Sequence, residues 1–480
     1  MQGDDHVNPA VKWTHGPLVW AVSATVGAAA GWLVASAVPG VVDDQGRAVI
    51  PLWLVVPFAT LLASIALMPF ISERIWHRHF PDFSFGLGAF VAIYMLRAFG
   101  MPEAAGHGTV GGYAVTHAAI EYYSFVALVC GLYVVSGGIL VDIKGKATPI
   151  FNASILAFGA VFANVVGTTG ASMLLLRPFM RANEGRLRPI HIVLFIMIVS
   201  NCGGLLTPIG DPPLYLGFLK GVPFIWTTVN LWNEWLLVVG CLLALFIAVD
   251  WRIGPAPAAA EGPSRFSVRV SGSTGLVALA LMIAGVFIDP VLKSSFGIEG
   301  IPVGATFQLA VAGASYLLAR RDILERNQFS FFPVKEVSLL FLGIFLTMIP
   351  ALGYLAANGQ KMGVDSPTAL YFYTGALSAV LDNAPTYVNF LQIAIGPVAI
   401  DRSSIMAMLE SPAGPSTLAA ISSGAVFFGA MTYIGNGPNF MVRTIASSAG
   451  VRMPGFFGYL LLALVILLPI LVINWFVFIR

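Results

Sequence analysis

The chain is short of charge. Only 10% of its 480 residues are Asp, Glu, Lys or Arg, where a typical soluble protein carries about 25%. With 25 Lys+Arg and 23 Asp+Glu, polar side chains cannot cover a globule of this size, which excludes a soluble enzyme and a disordered tail. The same apolar excess excludes a nucleic-acid binder, while a formal net charge of +2 is too small to indicate a partner. Cysteine is also scarce: Cys130, Cys202 and Cys241 each sit in an apolar stretch, without metal-ligand or disulfide-framework spacing. Nucleophile and zinc-protease motifs are missing, and His191 has no partner in its own stretch, so the chain is not expected to be an intramembrane enzyme. What is plentiful is apolar: 58% of residues are hydrophobic. That excess needs lipid as solvent, and the chain reads as an all-α polytopic membrane protein.

The first span is the run from Pro17 to Val38, which follows a polar, mildly acidic segment, Met1 to Trp13. It is longer than the roughly 7–15 residues of a signal-peptide core. Runs of about 20 apolar residues, enough to cross a bilayer, centre near 28, 60, 92, 130, 243, 281, 310, 345 and 467. Two longer apolar zones cover 150–217 and 366–448, and Trp251 to Arg269 forms a Pro/Ala/Gly-rich joint. Treating parts of both zones as hairpins that enter and leave on one side puts 18 Lys/Arg inside and 6 outside, with Arg97 in a span. Without the hairpins the alternation breaks. The expectation is about 11 transmembrane helices plus two re-entrant hairpins, multi-pass in a bacterial-type inner membrane, with the N-terminus cytoplasmic and the C-terminus outside. The expected divisions are 1–118 for N-terminal spans, 119–250 for a first repeat half, 251–271 for a cytoplasmic linker and 272–480 for a second half. The first half holds a hairpin at 150–180 and a broken helix at 190–217; the second holds them at 366–398 and 416–448.

A duplicated signature supports those halves. Thr207-Pro208-Ile209-Gly210-Asp211-Pro212-Pro213 interrupts one apolar zone, and Thr432-Tyr433-Ile434-Gly435-Asn436-Gly437-Pro438 interrupts the other. The shared pattern is T-x-I-G-[D/N]-x-P. Upstream lie Asn164 with Thr168 and Thr169, and Asp382-Asn383 with Thr386. The Asn residues are 219 apart and the loops 225 apart, in the same order. Five expected crossings separate the hairpins, an odd number, so the halves face opposite ways, as in the inverted repeats of secondary transporters. Gly and Pro at depth break the helix, and such backbone is tolerated only inside protein or lining a cavity.

The candidate site is therefore Asn164, Thr168, Thr169, Thr207, Gly210 and Asp211 from one half, with Asp382, Asn383, Thr386, Thr432, Gly435 and Asn436 from the other. A carboxylate at depth costs several kcal/mol unless paired or used, which marks Asp211 and Asp382. Each also sits where it would cap a half-helix. No Lys or Arg lies within the four segments, so two carboxylates would repel an anionic substrate. Hard cations take oxygen ligands, and Asp211, Asp382, Asn164 and Asn383 are the candidate Na⁺ ligands. The expected cargo is Na⁺ and H⁺, with no prosthetic cofactor. His117 and Glu121, spaced i, i+4, read either as a pH-responsive pair or as a solvated helix start.

These segments resemble the ion transporter superfamily, which holds NhaD-type sodium/proton antiporters, citrate and dicarboxylate carriers and arsenite permeases. The resemblance runs from about residue 120 to 450 and is sharpest over Ser200 to Pro213 and Ser378 to Thr386. It implies a sodium/proton antiporter working by alternating access, or a sodium- or proton-coupled citrate or dicarboxylate carrier. Its partners would be membrane lipid and small ions, a carboxylate in the second case, with no nucleic acid; a homodimer fits either. The antiporters carry an acidic residue before the first hairpin Asn, where this chain has Ala163.

Overall fold

A computed structural model describes residues 16–42, 48–100, 109–144, 147–254, 267–297 and 300–480. The polar segment Met1 to Trp13 and the core of the expected linker, 255–266, lie outside them, as do Lys12, Arg47, Lys146 and Arg265 of the charge count. The described chain forms two units, Met1–Ala118 with Ser338–Ala351, and Ala119–Val337 with Leu352–Arg480.

In the first unit, α1 (Pro17–Ala37) is followed by a short antiparallel ribbon, β1 (Val41–Val42) with β2 (Ala48–Val49), and by α2 (Val56–Ala98). Helix α2 breaks at Ser72 (φ −160°, ψ 99°) and doubles back, because the Trp53 and Tyr94 rings meet edge-on with centroids 5.3 Å apart. The G-x-x-x-G of Gly27 and Gly31 lets α1 lie directly on the second arm of α2. A Cβ at either glycine would sit 2.0 or 2.4 Å from the carbonyl oxygens of Gly86 and Phe90. This small-residue contact is how helices associate without a hydrophobic drive from water.

Helix α3 (Val110–Gly137) begins in the first unit and ends in the second, where β3 (Leu140–Lys144) and α4 (Pro149–Ala182) follow. Thr148 caps α4 by accepting from the Phe151 N–H at 3.2 Å, and Pro149 takes the first turn, where no N–H is needed. Despite its length, α4 is not one span. Gly167 stands at φ 78°, ψ 155°, a backbone state that a side chain would strain, and the chain turns back there. Gly159 lies against Leu175, and Asn152 and Asn183 exchange hydrogen bonds of 2.8 and 2.9 Å. A straight helix would hold those two about 46 Å apart. The expected first hairpin is this element.

The first broken helix consists of α5 (Pro189–Ile198), a tight 3-10 turn (Cys202–Leu206), an extended loop, and α6 (Pro212–Leu219). Then come α7 (Trp226–Ile253), β4 (Ser267–Ser271), α8 (Ser273–Gly285), α9 (Ile288–Phe296), α10 (Val303–Leu318), α11 (Arg321–Arg326) and α12 (Phe332–Asn358). The expected linker 251–271 is narrower than its composition suggests: its first residues complete α7, and its last form β4, paired antiparallel with β3 from Leu140↔Ser271 to Lys144↔Ser267. The second hairpin is α13 (Pro367–Val380) and α14 (Asn383–Ile395), joined through Leu381 and Asp382 alone. After α15 (Arg402–Glu410), α16 (Gly414–Phe428), a 3-10 turn (Gly429–Met431) and α17 (Gly437–Ser448) make the second broken helix; α18 (Phe456–Asn474) follows.

Nine helices among the described residues are long and apolar enough to cross a membrane, Pro149–Ala182 counted by length among them. The eleven expected spans fall on α1, the two arms of α2, α3, α5–α6, α7, α8–α9, α10, α12, α16–α17 and α18.

Helix α3 serves as a ruler for the repeat. Leu132 of α3 lies at the Gly167 tip, and the hairpin descends beside Ser136 and on to Asp142, 3.9 Å from Arg181. Helix α6 leaves the other way: Tyr215 donates to Ser124 O at 3.3 Å, and Lys220 pairs with Glu121 at 2.7 Å. Helix α14 runs with α6, since the Tyr387 ring covers Gly217 and Arg402 abuts Gly221. The two hairpins thus approach from opposite sides and meet at their tips. This is the inverted repeat.

Candidate functional site

Asp211 is the centre of the tips. It occupies the N-cap position of α6 in extended backbone, yet its side chain makes no cap hydrogen bond. The carboxylate, 1% exposed, turns inward and accepts three neutral donors instead. Thr168 Oγ1, just past the first hairpin tip, donates to Oδ1 at 2.8 Å; Asn436 Nδ2, from the second loop, donates to the same oxygen at 2.8 Å. Asn383 Nδ2, just past the second hairpin tip, donates to Oδ2 at 2.7 Å. Both loops and both hairpins converge on one carboxylate. A small pocket lined by Leu132, Gly167, Thr169, Pro208 and Tyr215 reaches Asp211 from the first-hairpin side.

The loops that present it are near copies. Thr207 (φ −137°, ψ 155°) and Thr432 (φ −137°, ψ 169°) are both extended. So are Asp211 (φ −144°, ψ 145°) and Asn436 (φ −154°, ψ 139°). Thr207 Oγ1 donates to Asn164 O and accepts from the Gly210 N–H; Thr432 Oγ1 donates to Ala379 O and accepts from the Gly435 N–H. Each loop closes on a glycine of the preceding turn. A Cβ on Gly210 would lie 2.2 Å from Gly204 O, and one on Gly435 2.7 Å from Gly429 O. Gly210 O also accepts the Thr168 N–H at 2.8 Å, fixing loop to tip.

The hairpins correspond differently from the sequence pairing. Asn164 matches Ala379, and Thr168 matches Asn383, at a displacement of 215 rather than 219. The Asn164–Asn383 alignment is therefore out of register by one helical turn. Asn164 lies before its tip and its amide is committed to backbone: Nδ2 donates to Gly203 O at 2.7 Å, and Oδ1 accepts from the Leu206 N–H at 2.8 Å. The two acids also divide. Asp382, half-buried, caps α14 by accepting from the Ala384 N–H at 3.0 Å, whereas Asp211 does not cap. Thr386 donates to Asp382 O at 2.9 Å, closing the first turn of α14. Thr169 borders the pocket.

Several residues escaped the sequence reading. Asn201 donates to Asn439 Oδ1 at 2.6 Å, while its own Oδ1 accepts from Asn436 Nδ2 at 3.2 Å. Asn439 in turn donates to Gly429 O and Thr432 O, both at 2.9 Å. The repeat places Val426 opposite Asn201, so internal symmetry could not reveal this bridge. Gly204 and Gly429 were legible: they extend the signature to G-x-x-T-x-I-G. His191 does have a partner, 59 residues away: Nε2 lies 2.8 Å from Asp250 Oδ1, and Nδ1 accepts from the Arg188 N–H at 2.9 Å. Asp250 also takes Arg186 and Asn152, and this buried cluster ties the base of the first hairpin to α5 and α7. Glu121 is paired with Lys220 at 2.7 Å, and His117 lies against Tyr113.

No curated protein matches the chain. One family does, over residues 47–479, a stretch that includes both hairpins and both broken helices: its description is putative citrate transport. The inverted pair of hairpins and broken helices is the architecture of a secondary transporter, and the chain belongs to the putative citrate transport family.

Proposed function

We propose that the protein exchanges Na⁺ for protons by alternating access, with Asp211 as the shared ligand. One observation carries this reading: a buried carboxylate held by Thr168, Asn383 and Asn436, all neutral, one from each of the other three elements of the inverted repeat. A buried anion without a cation is costly. Either a proton or a hard cation offsets that cost at this position, and the two would compete. Asn383 Oδ1 is buried without a hydrogen-bond donor, so a cation beside Asp211 would find a second oxygen there. Closing either hairpin over its own face would open the site to one side at a time.

The second reading, carriage of citrate or a related carboxylate coupled to Na⁺ or protons, is favoured by the family match. Half-helix N-termini and the Asn and Thr donors would then face the anion. Proteoliposomes separate the two. Dissipation of an imposed pH gradient on adding Na⁺ supports exchange. Uptake of labelled citrate, with no Na⁺-dependent proton movement, would overturn exchange in favour of the carrier.

A further inference from the structure

Another carboxylate, with no cationic partner among the described residues, is buried in the same unit away from the tips. Glu234 lies about two turns into α7 and is 3% exposed. Asn474, the last residue of α18, donates from Nδ2 to Glu234 Oε2 at 3.0 Å. The Ser423 hydroxyl of α16 lies against the same carboxyl. Tyr371 of α13 lies against the Asn474 amide and donates its hydroxyl to Leu471 O at 3.1 Å. Cys202, from the turn of the first broken helix, lies on the Tyr371 side of this cluster. These partners are all uncharged side chains. The cluster also holds an unmatched acceptor: Asn474 is fully buried, and its Oδ1 has no donor.

An ionised carboxylate so placed is opposed by desolvation, and neutral hydrogen bonds compensate only part of it. A proton on Glu234 removes the charge and adds a hydroxyl donor to a cluster that holds an acceptor without one. A primary amide and a carboxylic acid complement each other, each giving one donor and one acceptor. We infer that the Glu234–Asn474 pair is a second proton-binding site of this transporter, separate from the Asp211 cluster. That it takes part in transport rests on the secondary-transport reading; that it holds a proton does not.

The pair is placed to sense the cycle. The next residue, Trp235, donates from Nε1 to Gly203 O at 2.9 Å, the oxygen that also accepts Asn164 Nδ2. Movement of the first hairpin against the broken helix therefore pulls on α7 beside Glu234.

The test uses the purified full chain. Glu234→Gln should remove one protonated-carboxyl carbonyl stretch from the infrared spectrum, in the wild-type and in an Asp211→Asn background alike. In proteoliposomes the same variant should retain radiolabelled Na⁺ exchange at equal pH but lose pH-driven flux by roughly tenfold or more. Asn474→Leu, which keeps the acid, should shift that band to the position of a carboxyl without its amide partner, and this arm decides if Glu234→Gln does not fold. An unchanged spectrum in Glu234→Gln or an unshifted band in Asn474→Leu overturns the proposal, and wild-type pH-driven flux in Glu234→Gln overturns its part in transport. Absence of any Na⁺ exchange in the wild type would instead strike the exchange reading, and the infrared band would still decide whether Glu234 holds a proton.

Discussion

The two acids of the signature illustrate how little a residue's position in a motif says about its work. Both precede a half-helix, yet Asp382 caps and Asp211 does not. Asn caps about as well as Asp, and Ala loses about 1 kcal/mol. Asp382→Asn should therefore leave thermal stability in detergent unchanged, while Asp382→Ala should lower it. Comparing the two in a transport assay isolates the charge from the cap. Asp211→Asn should be the more damaging change, lowering Na⁺-dependent proton movement on the order of 100-fold and flattening its pH profile. If citrate is the cargo, removing that negative charge should leave uptake intact or raise it. Retained citrate uptake in this variant would count decisively for the carrier.

Among the elements, the first hairpin tip and both loops are held by geometry that requires glycine. Gly167 needs its positive φ, and Gly210 has a carbonyl where a Cβ would go. Gly167→Ala should cost about 1–3 kcal/mol, read as a lower melting temperature. Gly210→Ala and Gly435→Ala should both impair transport, the first more severely, as its clash is the closer. At the hairpin base, Asp250→Asn leaves Arg186 buried without its counter-charge and should cost about 3–5 kcal/mol. The T-x-I-G repeat and the hairpins were visible in the sequence because their backbone demands specific residues, Gly and Pro above all. The hairpin register was not visible. It depends on which residue follows the tip, and Thr168 and Asn383 share a role without sharing a side chain. The Asn201–Asn439 and His191–Asp250 pairs were hidden for a different reason: each joins elements far apart in the chain, and only packing brings them together.

For the whole molecule, the second unit has two distinct faces. The first-hairpin base, the C-terminal end of α7 and the β3–β4 ribbon share one, with Arg181, Arg186, Arg188, Arg252 and Arg269 on these segments. Trp475 donates to Thr368 Oγ1 at 3.1 Å, so the chain ends beside the base of the second hairpin. The Arg residues on these segments predict, by the bias of basic residues toward the inner side, that the first face is cytoplasmic. Cysteine labelling of intact cells should find position 269 protected and position 480 accessible; both on one side would undo the inverted arrangement. The ribbon has one more consequence. It binds the strand preceding the first hairpin to the strand preceding α8 through five residue pairs, so the covalent connection through 255–266 is not what keeps the two halves of this unit in register. A transporter severed within that stretch and produced as two polypeptides should reassemble in the membrane and work, and the two pieces should co-purify.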